Sequence, residues 1–274
     1  MSASPLSPTE PCMLPGLADL QRFLVTVEEH VATVTMNAPP VNAQDRLFRQ
    51  ELLRVFDVLH DSPAVRAIVL TGAGRAFSAG ADLRERPNLA GEAGAYPGHN
   101  RLVRAGFDAV MDCGKPVIAA VNGAAIGAGC VLALCCDILL VAEDAFLAMT
   151  EVDVGLAGGV RHVMRFFGQS DARLLIYTAR RVHGPELLRM NAASACLPRD
   201  RLLEEAQAIA RQIAAKSPLA VQAAKRSFQL TEEMPLRDGY RYEQTQTVAL
   251  ATTEDTKEAQ RAFAEKRKPI FQGK

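Results

Sequence analysis

The segment "AFLAMTEVDVGLAGG", residues 145 to 159, sets Glu151 and Asp153 in an otherwise apolar run that ends in a glycine-rich turn. A carboxylate held against apolar surface is pushed toward its neutral form, so it can take or release a proton near neutral pH. An ordinary surface carboxylate fits the same letters, and Glu151 alone does not choose between the two. Asp153 would share a face with Glu151 only if the segment is extended. Two other stretches offer main-chain donors instead of side-chain chemistry. "TGAGRAFSAGADL" (71 to 83) is a loop of small residues that lets a ligand approach backbone N–H groups closely. "NGAAIGAGC" (122 to 130) sets three glycines before an apolar helix, whose first N–H groups lack intrahelical partners and whose dipole end is positive. Two such donor loops can form an oxyanion hole, although small residues there also serve close helix–strand packing.

Other chemistries find little support. Gly72-Ala73-Gly74 follows a strand pattern, but Phe77 stands where a dinucleotide loop needs its third glycine. Ser78 is not in a G-x-S-x-G elbow. The six cysteines, at 12, 113, 130, 135, 136 and 196, match no C-x-x-C or zinc spacing and read as small buried hydrophobes in a reducing compartment. No metal, flavin or nicotinamide site is indicated.

The elements that must position these residues follow from periodicity. "RFLVTVEEHVATVTMN" alternates on both sides of Glu28-Glu29-His30 and predicts a β-hairpin over 22 to 36. Leu47, Leu52, Val55, Phe56 and Leu59 fall near helical spacing before Pro63. "VRAIVLTG", "PVIAAVNG" and "DILLVA" are short continuous apolar runs, the pattern of strands buried on both faces, with "AFLAM" a further candidate. Helices are expected around 100 to 112 and 128 to 136, and the pattern turns helical from about 170 onward. The predicted organisation is a mobile tail at 1–18, an α/β core at 19–198 and a C-terminal helical region at 199–274. The glycine-rich loop 91 to 98, beside His99, is expected to cover the site. His162 and Asp137 read as structural.

Composition bounds the partners. Lys+Arg and Asp+Glu both number 31 in 274 residues, so net charge gives no case for nucleic acid or an anionic membrane and weakly favours self-association. Between Lys115 and Asp137 lie 21 uncharged residues, long enough to span a bilayer. Asn122, three glycines and the split into a β-rich half and an Ala/Leu/Cys half fit a core strand and core helix better. The N-terminal "MSASPLSPTEPCMLPG" has four prolines and no cation, unlike a signal peptide, and a cytoplasmic location is expected.

Taken together, "FSAGADL", "VIAAVNGAAIGAGCVLALCCDILLVAEDAFLAMTEVDVGL" and "EDTKEAQRAFAEKRKPIF" resemble the crotonase, or enoyl-CoA hydratase/isomerase, superfamily from about residue 22 to the C-terminus. The resemblance implies a spiral of ββα units with a C-terminal helical region, assembled as trimers or hexamers. It implies an acyl-CoA thioester as substrate, with coenzyme A as part of that substrate rather than a cofactor, and an enolate whose oxygen is received by the N–H groups of Ala81 and Ala128. Ala79, Asp82, Leu83 and Arg84 would line the CoA path. Lys266, with Arg267 and Lys268, would approach CoA phosphates, including those of a neighbouring subunit.

Family hydratases place two glutamates across the substrate. One position corresponds to Glu151; the other, three residues past Ala128, is Val131. Valine neither holds water nor passes a proton, so the resemblance implies a single carboxylate shuttle, as in the family's enoyl-CoA isomerases. A hydratase with other water-positioning groups, C–C bond chemistry, and a catalytically weak CoA-ester-binding protein stay as alternatives. Ala128 replaces a usual glycine, Thr150 a frequent proline, and "GLAGG" is shorter than the usual loop.

Overall fold

The computed structural model describes residues 14–85 and 93–274. The predicted hairpin forms from β1 (Phe23–Glu28) and β2 (Val31–Met36), paired antiparallel around Glu29 and His30, which both take positive φ (48° and 65°). That two-residue turn matches the right-handed twist of its strands. Four more strands join in parallel: β4 (Ala67–Gly72), β7 (Val117–Val121), β9 (Ile138–Ala142) and β12 (Ala195–Leu197), in the order β1-β2-β4-β7-β9-β12. Every residue of β4 and β7 is buried, as continuous apolar runs require when both sheet faces are covered. Helix α7 (Arg199–Ala214) covers this sheet with Leu202 and with Ala206, Ala210 and Ala214, whose small side chains let it lie close to β2, β4, β7 and β9. Helix α1 (Arg46–Asp61) buries Phe48, Leu52, Val55, Phe56 and Leu59, and Asp45 caps it by accepting the Phe48 N–H at 2.7 Å.

A second layer positions the site. Strands β5 (Ala76–Ser78), β8 (Ala124–Ile126), β10 (Phe146–Ala148) and β11 (Val182–His183) form a sheet in the order β11-β10-β8-β5, and β3 (Ala43–Gln44) pairs with β6 (Gly80–Ala81). Each long inner strand is followed by a short outer strand and then a helix. Thus β4 leads through β5 and β6 to α2 (Ala95–Met111), β7 through β8 to α3 (Ala128–Leu134), and β9 through β10 to α4 (Val160–Phe166). This is the ββα spiral that the resemblance implies. The uncharged stretch after Lys115 is therefore β7, β8 and α3, and among the described residues no helix is long and apolar enough to cross a membrane.

Two expectations change. Helix α2 starts at Ala95, so residues 95–98 of the expected covering loop are its first turn and His99 is helical. Pro97 is tolerated there because a first-turn N–H has no intrahelical partner to lose. Residues 86–92 lie outside the described residues, as do 1–13 of the expected tail; Leu14 and Leu17, also assigned to that tail, are buried.

Beyond β12 the chain is helical, with α8 (Pro218–Thr231), α9 (Leu236–Leu250) and α10 (Glu254–Ala264) following α7. One charge pair ties α8 to the core. Lys225, 5% exposed, donates to Asp137 Oδ2 at 2.8 Å and to the Lys115 carbonyl at 3.0 Å, while the same Oδ2 accepts the Val117 N–H at 2.7 Å. Asp137 is thus structural. Asp137→Ala would strand a buried ammonium, and we expect it to lower unfolding free energy by about 2 kcal/mol, read as a fall in urea midpoint at unchanged slope.

Candidate active site

Strands β5, β8 and β10 run parallel side by side, with Ser78 opposite Ala125 and Ala148 opposite Ile126. Their carboxyl ends therefore emerge together, about 4.8 Å apart per strand. The three sequence candidates sit just past those ends: Ala81 after β5, Ala128 after β8 and Glu151 after β10.

Close approach at two glycines brings them within reach of one another. Gly80 takes φ 83°, and a methyl group on it would overlap the Ile126 carbonyl and lie 3.1 Å from Ala128 N. Bond lengths then put the amide nitrogens of Ala81 and Ala128 no more than about 7 Å apart. Gly127 carries the sharp turn into α3 (φ 53°, ψ −119°), and a methyl there would stand 2.7 Å from Glu151 Oε1. Ala128 itself is not among the residues of positive φ, so its Cβ costs no backbone strain. The Gly127 carbonyl accepts the Val131 N–H at 2.9 Å. In a trans peptide N–H and C=O oppose each other, so the Ala128 N–H points out of the helix start.

Glu151 opens a 3₁₀ turn, Glu151–Val154, and is half-buried with Oε2 shielded from solvent. Its carbonyl accepts the Leu156 N–H at 2.9 Å, and Gly158 packs near its Cγ, so the short "GLAGG" turn folds back over it. The segment is not extended, and Asp153 is exposed on a different side of the turn; it adds no second carboxylate. Val131 is 3% exposed. A methyl on Gly159 would overlap Met149 Cε and lie 2.7 Å from Val131 Cγ2, so valine, methionine and the glycine turn form a closed apolar wall. Cys130 adjoins it. Burial pushes its thiol well above the usual range and the nearby Glu151 carboxylate pushes it further, so Cys130 stays a neutral thiol.

The CoA candidates divide. Ala79 donates its N–H to the Val41 carbonyl at 2.9 Å. Leu83 and Arg84 are exposed, and Arg84 grips Asp82 through two bonds of 2.9 and 2.7 Å that hold the Asp82 carboxyl below its usual range. Lys266 follows α10, in a C-terminal segment that Arg66 holds through the Phe271 carbonyl at 2.9 Å. His162 lies edge-on to Phe107 at 5.8 Å, and burial depresses its basicity; His99 lies 6.0 Å from the Tyr96 ring.

Asn42, Gln44 and Ser78 are buried polar residues beneath the two amides. For Asn42 and Gln44 the only sequence signal is polarity between Pro39-Pro40 and α1, which reads as loop.

The model of the enoyl-CoA hydratase/isomerase family matches residues 26–274. A Thermus thermophilus protein with a provisional enoyl-CoA hydratase name is 38% identical over 90% of this chain and 100% of its own length. The carnitinyl-CoA dehydratase of Citrobacter koseri is 34% identical over 89% of this chain and 95% of its own. The crystal structure of an enoyl-CoA hydratase from Bacillus anthracis superposes with a TM-score of 0.87 at 33% identity, covering 93% of this chain and 100% of that one.

A methyl at Gly127 would meet both positive φ and the Glu151 carboxylate. Gly127→Ala should therefore cost about 1–2 kcal/mol in thermal or denaturant unfolding, and a crystal structure of the variant should find the carboxylate displaced.

Proposed function

Because the chain belongs to the enoyl-CoA hydratase/isomerase family, and is an acyl-CoA enzyme of it, we propose that it moves a double bond within an enoyl-CoA through an enolate. The thioester oxygen sits between the N–H groups of Ala81 and Ala128. In an extended segment adjacent N–H groups face opposite edges, and the Asp82 N–H turns to the Gln44 carbonyl at 3.2 Å. That leaves the Ala81 N–H facing the Ala128 side. Charge developing on the oxygen meets two fixed dipoles that need no rearrangement, the arrangement that lowers the barrier most in acyl chemistry. Glu151 takes a proton from C2 of a 3-enoyl-CoA. The electron pair spreads into a dienolate, and the same carboxyl returns the proton to C4, leaving the double bond between C2 and C3.

One observation carries this choice: Val131, Met149 and Gly159 close an apolar wall where a second carboxylate would hold water, while the Glu151 carboxylate lies against Gly127. A proton relay between two carbons needs one carboxyl group and a dry pocket. Addition of water needs a second polar anchor. The names of the relatives favour the second reading, hydration of a 2-enoyl-CoA, with water positioned by groups other than residue 131.

Two assays on the purified protein separate the readings. Conversion of 3-enoyl-CoA to 2-enoyl-CoA, with slow or no formation of 3-hydroxyacyl-CoA, is the expected result; faster hydration reverses the assignment. Tight CoA-ester binding with no turnover of either substrate would mean a binding protein. Glu151→Gln should lower kcat by about 100- to 10,000-fold with substrate binding retained, and an unchanged kcat removes Glu151 from the reaction.

Ala79, Asp82, Leu83 and Arg84 are proposed to follow the CoA moiety in one subunit, with Lys266 contributed by a neighbouring copy. Assembly as a homotrimer or hexamer is supported by large apolar side chains left open on the C-terminal helices, among them Phe228, Leu236, Val248 and Phe263, each more than 70% exposed. Light scattering should give three or six times the 29.6 kDa chain mass, and a monomer at micromolar concentration contradicts this.

A further inference from the structure

Three buried polar side chains lie beneath the two amide donors, and the proton relay uses none of them. Asn42, Gln44 and Ser78 are 1%, 2% and 0% exposed. Asn42 Nδ2 donates to the carbonyls of Ala73, Ala76 and Phe77 at 3.0, 2.9 and 3.1 Å, which holds the loop before β6. Ser78 Oγ donates to the Asn42 carbonyl at 2.7 Å and accepts the Gly80 N–H at 3.2 Å. Gln44 differs from both, because its bonds reach each side of the site. Its Nε2 donates to Ser78 Oγ at 3.3 Å and to the Ala128 carbonyl at 3.2 Å. Its own carbonyl accepts the Asp82 N–H at 3.2 Å and an Arg49 guanidinium N–H at 2.5 Å, and its main chain is the strand partner of Ala81.

One residue thus grips one donor segment with its backbone and the other with its side chain. Sealing a primary amide inside a protein is costly unless it is hydrogen-bonded, and an apolar side chain of that size would avoid the cost. Strand pairing of β3 with β6 does not require the amide, since it runs through the main chain alone. The amide's specific effect is lateral: it fixes the first turn of α3 against β3, and so the gap across which Ala81 and Ala128 face each other. Oxyanion donors act over 2.7–3.1 Å, so a small drift of that gap weakens one of the two bonds.

We propose that Gln44 is a positioning residue that sets the separation of the Ala81 and Ala128 amides. The inference rests on the reading of those amides as the oxyanion donors. Gln44→Met keeps the length of the side chain and removes its hydrogen bonds. The readouts are kcat, KM and the absorbance of a bound conjugated aryl-enoyl-CoA, whose band moves to longer wavelength when its carbonyl is polarised. In Gln44→Met we expect kcat to fall about tenfold, less than the 100- to 1,000-fold typical of deleting a donor, with KM within about twofold and a smaller absorbance shift. Wild-type kcat with the full shift in the variant overturns the role of Gln44 while leaving the oxyanion reading intact. No shift in the wild type overturns both. If Gln44→Met does not fold, Gln44→Leu takes its place, since it too lacks the amide that donates to Ser78 Oγ and the Ala128 carbonyl. A reduced shift there supports the proposal, and a full shift overturns it.

Discussion

The site depends on one constraint, the parallel ladder that joins β5, β8 and β10. Parallel strands end together, so three loops far apart in sequence leave the sheet at one place, after Ser78, Ile126 and Ala148. The ladder runs one step past the strands, where the Gly127 N–H bonds to the Ala148 carbonyl at 2.8 Å. That bond links the peptide before Ala128 to the segment that delivers Glu151. Gly80 and Gly127 then remove the side chains that would hold the loops apart. The inner sheet, α1 and α7 form the rigid floor behind this layer, so the amides are placed by regular structure and not by mobile loops.

On that floor the polar and apolar halves of the site have separate work. Main-chain amides can stabilise charge without choosing a reaction, and this suits a fold that hosts several acyl-CoA chemistries. Choice of reaction falls to what faces the acyl carbons. Glu151 is the proton-carrying group proposed there, and Val131, Met149 and Gly159 make the adjoining wall apolar. Cys130 beside them is held as a neutral thiol by burial and by the carboxylate, so it competes neither as base nor as nucleophile.

Much of this was legible in the letters. The hairpin at 22–36, the buried strands "AIVLTG", "VIAAV" and "ILLVA", and the helical C-terminus follow from period and burial, because each element's pattern agrees with its final environment. The positions of Ala81, Ala128 and Glu151 came from the motifs that carry the family likeness. The start of α2 departs from the sequence pattern because Pro97 and Gly98 look like loop, while a first helical turn accepts both. Asp153 could not be resolved, since extended and 3₁₀ conformations place it on different sides and the local sequence permits each. Gln44 was invisible for a different reason: its partners are 34 and 84 residues away, and no local pattern encodes a bond of that range.

The most direct test of the account is a crystal structure with a non-reactive acyl-CoA bound, one whose thioester is replaced by an enolate mimic. The account predicts the mimic's oxygen within about 3 Å of both the Ala81 and Ala128 nitrogens, with a Glu151 oxygen over the adjoining carbon. An oxygen that touches neither amide, or an acyl chain that leaves Glu151 out of reach, would contradict it.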